Sequence, residues 1–439
     1  MRSGRILLAL LLLIGSVGAV FIGTAIYSRF LFLGVFLAIL SWVWTRWAAR
    51  GLQVSRSSRV LRANVGDIVE EKFEVMNNSF ILAPWIEVLN QSTVPFAAGS
   101  RLFTFVTRRQ QRSYLARTYL TRRGGFPLGP TRISTGDPFG FFHASKEFSP
   151  TQTLVVFPMI VQIESFQFPP GLLPGGQVIR RKSSDITPHA SGVREYVHGD
   201  AMKRIHWPTS ARRNQLMVKE FEQDPQAEIW LYLDLQKSVH YEKPHQIEER
   251  TAESIIFGKP PKFQLPPSTL EYAISITASL AHYFLGQRRT VGYVSAGQTF
   301  IVHSAERGER QEAKILETLA FVEGNGKLSI AALVTAQASQ LPQGSSVVLV
   351  TSTVRPDLLQ AVDDLQMRYL RPLVVLLDEE TFGGLRGADV LVRSLRERRV
   401  PVCVIACDAD LAQALSLIPS SVNSKDMRPW QSPVPVLSH

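Results

Sequence analysis

The chain has 439 residues, which is too long for one ordinary domain and suggests about two or three folded units. Its apolar content of 45% is typical of a globular protein and excludes a largely disordered chain. Residues 1–62 contain eight arginines and no acidic residue, so they supply most of the net charge of +11. Positive charge placed beside an apolar N-terminus indicates a membrane-flanking segment and is only weak evidence for nucleic-acid binding.

Two apolar segments at the N-terminus predict a membrane anchor over residues 1–50. The first segment runs uncharged from Ile6 to Ile26, and a helical span needs about 20 residues. Tyr27 to Arg29 interrupts the apolar sequence, and Phe30 to Thr45 forms the second segment. A cleaved signal peptide is the alternative, because Gly23 to Ala25 is an acceptable small-residue cleavage site.

The distribution of arginines predicts the orientation of this anchor. Arg2 and Arg5 precede the first segment, and several arginines follow the second, whereas the short connection carries Arg29 alone. By the positive-inside rule, the N-terminus and everything after residue 50 are expected in the cytoplasm.

Residues 51–156 carry short alternating segments separated by turns, which predict a small β-sandwich. Within them, Arg101 to Arg123 contains seven arginines and no acid. We interpret this segment as a solvated strand face, with contact to anionic lipid headgroups as the alternative. Its aromatic side chains are expected in the sheet core, and they are Phe103, Phe105, Tyr114 and Tyr119.

Residues 157–225 contain several Pro and Gly residues at their start and are interpreted as a linker that carries a signature segment. In residues 226–420, strands alternate with helices, which predicts a doubly wound α/β domain with helices on both faces of a parallel sheet. Ligands bind such sheets beyond the carboxyl ends of the strands, where the loop beginning at Asp234 is expected. The insertion at 239–268 and the tail at 421–439 are predicted to be disordered, with partner binding as the alternative for the insertion.

Three motifs together resemble a known family. They run over Arg122 to Phe142, Ser191 to Glu222 and Ile229 to Ser238. They resemble the bacterial family called "domain of unknown function fifty-eight", whose members commonly have two N-terminal membrane spans, a β-rich unit and a von Willebrand factor A-like domain. Such members often occur beside MoxR-type AAA ATPases, so the resemblance implies an accessory role in such a system.

The second motif supplies the candidate binding residues. We interpret it as a staple between linker and sheet, with a partner-binding surface as the alternative. Gly199 and Asp200 are expected to begin a turn or to cap a helix from about Ala201. The candidate residues of the motif are Arg194, Tyr196, Gly199, Asp200, Arg204, Trp207 and Arg212.

The resemblance also implies a place for a metal ion. In von Willebrand A domains, a D-x-S-x-S loop ligates Mg²⁺ through one carboxylate and two hydroxyls, as suits a hard cation. In this chain Asp234 and Ser238 are retained, but Gln236 replaces the first serine and Lys237 adds a cation. The second loop, expected at residues 324–333, departs from the pattern too. We therefore predict no cofactor, with Mg²⁺ as the alternative and a Lys237–Asp234 ion pair where the metal would lie.

The sequence contains no P-loop, no GxSxG nucleophile motif and no HExxH zinc motif. We predict a membrane-anchored, non-enzymatic scaffold whose cytoplasmic von Willebrand A-like domain binds a protein, with a MoxR-type ATPase as the suggested partner. The alternatives are a Mg²⁺-dependent binding or sensing module and a cell-envelope enzyme. The bilayer is an expected partner, nucleic acid is not, and the sequence leaves the oligomeric state open.

Overall fold

The structure is a computed structural model that describes residues 2–150, 152–166, 190–197, 202, 205–221, 228–245 and 263–416. The chain divides into two compact units, and each is described by itself. The first unit comprises Met1–Val161, Tyr241–Ser279 and Ala313–Gly324. The second unit comprises Gln162–His240, Leu280–Glu312 and Asn325–His439.

The helices and strands of the described residues are numbered in chain order. The helices are α1 (Arg2–Phe21), α2 (Ala25–Arg50), α3 (Trp207–Arg213), α4 (Thr269–Gly286), α5 (Glu309–Phe321), α6 (Ile330–Gln337), α7 (Asp357–Met367), α8 (Ala388–Glu397) and α9 (Leu411–Ser416). The strands of the first unit are β1 (Leu52–Ser58), β2 (Arg62–Asn64), β3 (Ile68–Asn77), β4 (Ala83–Asn90), β5 (Arg101–Val106), β6 (Gln111–Tyr119), β7 (Gly124–Pro127), β8 (Thr131–Gly136), β9 (His143–Phe148) and β10 (Thr153–Phe157). The strands of the second unit are β11 (Ala190–Glu195), β12 (Met217–Phe221), β13 (Ile229–Leu233), β14 (Val291–Ala296), β15 (Phe300–Glu306), β16 (Ser346–Thr351), β17 (Arg371–Leu377) and β18 (Val402–Ile405).

Helices α1 and α2 are long and apolar enough to cross a membrane, as the sequence predicts. The predicted position of the connection is wrong, because the helices are joined by residues 22–24 and Tyr27 to Arg29 belong to α2. Gly23 adopts a φ of 67°. Glycine takes this left-handed conformation at little cost, so α1 ends there.

Glycines allow the two apolar helices to pack closely. A Cβ atom on Gly15 would lie 2.8 Å from the backbone nitrogen of Leu31, and a Cβ on Gly18 would overlap the ring of Tyr27. Larger residues would force the helices apart. This use of small residues is typical of helix pairs in lipid, where close van der Waals contact replaces the hydrophobic effect as the driving force.

The β-rich region after α2 contains three sheets, with strand orders β1-β3-β6, β2-β10-β7 and β5-β4-β8-β9. The first and third sheets share a hydrophobic core that includes Phe73, Val75, Ile86, Val88 and Ile133. On β3, the buried side chains alternate with more exposed ones, as the sequence pattern predicts. The prediction of a β-rich region after the anchor is therefore confirmed.

One charged residue shares the buried face of β3. Glu71 is only 2% exposed because Arg56 on β1 binds both of its carboxylate oxygens, at 2.8 and 2.9 Å. Arg56 also donates to Asn90 Oδ1 at 2.9 Å and lies 5.0 Å from the centre of the Phe73 ring. The guanidinium therefore supplies the hydrogen bonds that the Glu71 carboxylate would otherwise make to water.

The prediction that Phe105 lies in the core is wrong, whereas Tyr114 and Tyr119 are buried as expected. Phe105 is 69% exposed and has a φ of 53°. This left-handed residue interrupts the strand alternation, so Val106 is buried in its place. Phe103 is half-buried against the core.

The first family motif attaches the β-rich region to helix ends of the first unit. Arg123, just before β7, donates to the carbonyls of Leu319 at 3.1 Å and Val322 at 2.7 Å. These carbonyls lie at the C-terminal end of α5, where backbone acceptors have no helical partner and a cation is favourable. Arg123 also forms an ion pair with Glu271 in the first turn of α4.

We expect Arg123→Ala to lower the free energy of unfolding by about 3 kcal/mol, because it leaves helix carbonyls and Glu271 without their cation. The neighbouring Arg122 is exposed, so Arg122→Ala is the matched control and should have little effect. Thermal unfolding of the full chain in detergent micelles measures both. Equal melting temperatures for the two variants would show that the contacts of Arg123 do not stabilise this unit.

The second unit contains a six-stranded sheet of order β15-β14-β13-β16-β17-β18. All neighbours pair in parallel except β14 and β15, which are antiparallel. Every residue of β13, β14 and β16 is buried, so both faces of the central strands are covered. The α/β organisation predicted from the sequence is confirmed, although β15, α6 and α9 were not predicted. The partly exposed edge strand β15 lacks the continuous apolar pattern of its neighbours.

Candidate functional site

The carboxyl edge of the sheet brings together loops that are distant in sequence. β13 connects onward to β14 on one side of it, whereas β16 lies on its other side. The gap between β13 and β16 is therefore a topological switch point, where open α/β sheets bind ligands. Asp234 follows β13 at the predicted position, and Thr351 ends β16, so the two residues meet at this edge.

Asp234 is 1% exposed and its carboxylate has two close donors. The Thr351 hydroxyl donates to Oδ2 at 2.7 Å, and the backbone N–H of Gln236 donates to Oδ1 at 3.0 Å. The backbone carbonyl of Asp234 lies 3.2 Å from Nε2 of His240. The carboxylate thus joins β16 to the start of the loop that follows β13.

The predicted second loop does lie beside the first. Backbone N–H groups of Gly326 and Lys237 donate to the carbonyls of Leu235 and Gly326, at 2.8 and 2.9 Å. A Cβ atom on Gly326 would lie 2.8 Å from the carbonyl oxygen of Leu235, so a side chain there would separate the loops. Ser329 does not reach the site, because its hydroxyl caps α6 by accepting the N–H of Ala332.

A second buried carboxyl group at this edge was missed by the sequence analysis. Glu379 follows β17, is 2% exposed, and has an Oε2 atom without a hydrogen-bond partner in the described structure. Burial raises the pKa of Glu379 to about 7 and that of Asp234 to about 6. The negative charges of Asp234 and Asp378 raise the pKa of Glu379 further, whereas the exposed Arg355 opposes the rise.

Glu379→Gln should therefore change stability in a pH-dependent way. A carboxyl group whose folded pKa is raised stabilises the fold below its unfolded pKa and loses that contribution as pH rises through the folded value. Stability should fall between about pH 4.5 and pH 7 in the parent chain. The glutamine variant should be more stable by about 1–3 kcal/mol at pH 8 and nearly unchanged at pH 4.5.

Thermal unfolding of the full chain across this pH range measures the effect. Glu380→Gln is the control, because Glu380 is the next residue and its ion pair with Arg386 is solvent-exposed. A glutamine effect at position 379 that is the same at pH 4.5 and pH 8 would contradict a raised pKa.

The retained D-x-S-x-S positions are not brought together as ligands. Ser238 and Lys237 are exposed, whereas Asp234 is buried and bonded within the protein. The predicted Lys237–Asp234 ion pair is wrong, since the carboxylate is bonded to Thr351 and Gln236 instead. Among the residues that the structure describes, no group of three or more His, Cys, Asp or Glu side chains has an arrangement suited to a metal ion.

The second family motif forms a compact strand–helix–strand element. β11 and β12 pair antiparallel, and α3 lies between them in sequence. His206 caps α3, since its Nδ1 accepts the N–H of Thr209 at 3.3 Å, and Asn214 ends α3 with a φ of 50°. The hydroxyl of Ser210 accepts the N–H of Met217 at 2.9 Å and so attaches α3 to β12. Much of the motif is therefore helix-capping chemistry.

The candidate residues of this motif fall into two groups. Tyr196 is half-buried and its N–H donates to the carbonyl of Leu216 at 2.8 Å, while Trp207 and Arg212 are exposed on α3. The structure therefore shows these two side chains on the surface, whereas the sequence pattern of their motif was interpreted as a staple between linker and sheet. Gly199, Asp200, Arg204 and the expected helix start at Ala201 lie outside the described residues, as does the side chain of Arg194.

These features define a protein with two candidate membrane-spanning helices, a β-rich region and an α/β unit whose preceding segment carries a capped strand–helix–strand element. Residues 192–257 match the family model described as "Protein of unknown function DUF58". The chain is therefore similar to this family over that segment. It is also 25% identical over 328 residues to "Uncharacterized protein YeaD" of Bacillus subtilis, and the match covers 73% of this chain and 72% of YeaD.

Two solved structures align with parts of the chain. Proximal thread matrix protein 1 from the mussel byssus is 13% identical with a TM-score of 0.29, and the alignment covers 44% of this chain and 47% of that one. The CARDB domain of a Pyrococcus furiosus protein is 12% identical with a TM-score of 0.18, covering 24% and 91%. These scores are too low to indicate a shared fold.

Proposed function

We propose that the protein is a membrane-anchored, non-enzymatic accessory protein that binds another protein through its second unit. The observation that carries this proposal is the exposed surface of the signature segment. Met202 is 74% exposed and Trp207 is 63% exposed, and Arg212 lies exposed on the same short helix as Trp207. Tryptophan and arginine are enriched among the residues that dominate protein–protein binding energy.

A von Willebrand factor A-like α/β unit agrees with this proposal. Two features support it, namely the sheet order with an antiparallel edge strand and the loop that begins at Asp234. The hydrogen bonds of Asp234 are made within the protein, so the exposed rim at Lys237 and Ser238 is a second candidate contact surface. A MoxR-type AAA ATPase is the proposed partner.

The proposed location of this partner is the cytoplasm. Arg5, Arg46 and Arg50 are exposed at the ends of α1 and α2 that lie away from the hairpin connection, whereas Arg29 is the charge near that connection. Arginines are more numerous at the helix ends away from the connection than near the connection. This excess supports a cytoplasmic location for the N-terminus and for both units.

Site-specific photo-crosslinking in native bacterial membranes tests the proposal. We expect a photoreactive amino acid at Trp207 to capture a AAA ATPase, identified by mass spectrometry. The same amino acid at Lys237 reports on the rim, and Tyr369 is the control, because it is 74% exposed on another part of the second unit.

The pattern of cross-links distinguishes the two surfaces. Capture from Trp207 alone assigns binding to the signature segment, and capture from Lys237 alone assigns it to the rim. Cross-links to this chain alone at all three positions would contradict an ATPase-binding role.

A Mg²⁺-dependent binding module is the second candidate function. Two buried carboxyl groups with raised pKa values, Asp234 and Glu379, favour it, because a divalent cation would relieve their repulsion. Arg355 lies close enough to Glu379 to lower its pKa, so it supplies positive charge at this edge without a metal. This favours the main proposal.

Under the main proposal, saturating Mg²⁺ should leave the melting temperature of the full chain unchanged. A ligand that binds the folded state alone stabilises it by about 2.7 kcal/mol at a hundredfold excess over Kd. Calorimetry of the parent chain and of Asp234→Asn measures this. A rise in melting temperature that Asp234→Asn abolishes would establish the metal-dependent module instead.

A further inference from the structure

The turn between β8 and β9 lies against the N-terminal end of α1. A Cβ atom on Gly4 would lie 2.8 Å from the carbonyl oxygen of Gly140. Arg5 donates from Nε to the carbonyl of Phe141 at 3.2 Å, and its Nη2 lies 2.7 Å from Nδ1 of His143. Arg5 is also the last charge before the apolar part of α1. The turn at residues 137–142, which we call the DPFG turn, is therefore located where the candidate span begins.

The DPFG turn has a well-defined conformation that presents one ring outward. The Asp137 carboxylate accepts backbone N–H groups of Phe139, Phe141 and Phe142 at 2.9, 3.2 and 2.6 Å. Phe141 is 7% exposed, whereas Phe139 is 53% exposed and stacks on it at 5.6 Å between ring centres. Asp137 thus organises the backbone so that Phe139 is the outer of two stacked rings.

A second exposed phenylalanine lies beside the end of α2. The N–H of Asn78 donates to the carbonyl of Gly51, the residue that follows α2, at 2.8 Å. Phe80, two residues further on, is 79% exposed. The guanidinium of Arg108 lies over the Phe80 ring at 4.7 Å from its centre.

We propose that the DPFG turn and Phe80 rest on the same membrane leaflet that α1 and α2 enter, with Phe139 in the boundary between headgroups and acyl chains. Aromatic rings favour this boundary because it accommodates an apolar ring beside polar groups. Arg108 meets anionic lipid headgroups, since arginines close to such a surface are attracted to it.

The proposed contact is continuous with the membrane anchor and carries complementary charge. Arg46 and Arg50 are exposed on the last turns of α2. Arg108 and Arg109 are exposed between β5 and β6, and the N–H of Arg109 donates to the carbonyl of Asn77 at 2.7 Å. Lipid contact at several points would restrict rotation of the β-rich region about α2. This membrane contact is a role additional to the proposed protein binding by the second unit.

Spin labels on the full-length chain in lipid nanodiscs test this proposal. Single labels are placed at Phe80→Cys and Phe139→Cys, in a chain with Cys403→Ala and Cys407→Ala, and the nanodiscs contain equal parts phosphatidylcholine and phosphatidylglycerol. Leu115→Cys is the matched control, because Leu115 is 60% exposed on β6. Leu115 is four residues along β6 from Gln111. Gln111 pairs with Met76, which lies near Gly51 at the end of α2. Leu115 is thus about 13 Å further along the sheet than Gln111.

Accessibility to oxygen, which partitions into lipid, is compared with accessibility to a water-soluble nickel chelate. We expect the label at residue 139 to favour oxygen several-fold over the label at residue 115, with residue 80 between them. Arg108→Gln should move the label at residue 80 toward water in nanodiscs that contain phosphatidylglycerol, and should have no effect in pure phosphatidylcholine.

Two outcomes would overturn the proposal. Equal accessibility of residues 139 and 115 to the nickel chelate would place the DPFG turn in water. Protection of residue 139 from both reagents would indicate that protein, not lipid, covers Phe139. Neither outcome depends on the binding of an ATPase, so this proposal and the proposed function fail independently.

Discussion

The hydrogen bond from the Thr351 hydroxyl to the Asp234 carboxylate determines the arrangement of the sheet's carboxyl edge. It joins β13 to β16 at the point where the strand order reverses, and the N–H of Gln236 occupies the other carboxylate oxygen. With both oxygens bonded, the loop after Asp234 is directed toward Gly326 and pairs with it. Lys237 and Ser238 then remain exposed and available for recognition.

The first two motifs have a shared physical role, because each places polar groups where backbone atoms need a partner. Arg123 binds carbonyls at the end of α5, Asp137 binds three N–H groups of the DPFG turn, and His206 caps α3. A polar group buried without such partners would destabilise the fold. The motifs thus explain how segments are attached, whereas the exposed Trp207 and Phe139 are the positions left for contact with other molecules.

The sequence predicted the elements whose signal is local and missed those that depend on distant partners. The uncharged span, the alternation along β3 and the strand–helix order after β13 are local patterns, and the structure contains them. Glu71 is buried because Arg56 pairs with it across strands, which no single-strand pattern reveals. The position of Asp234 at the carboxyl edge could be predicted from the strand–helix order. Glu379 could not be assigned to this edge in the same way, because it lies 145 residues later and its role depends on burial. The break at Gly23 was not predicted, because the charge of Arg29 is a stronger local signal in the sequence than a single glycine.

The three-residue connection between α1 and α2 has a consequence for how the anchor enters a membrane. If both candidate spans cross the membrane, a hairpin this short has its two ends on one side and places residues 22–24 and the first turn of α2 on the other side. Arg29 is the one charged residue between Arg5 and Arg46, and it lies in that region. In the proposed orientation it moves outward against an inside-negative potential, which opposes the transfer of one charge by about 2.3 kcal/mol per 100 mV. With that orientation, insertion of the hairpin would depend on the membrane potential, and depolarisation would make the inserted form more favourable.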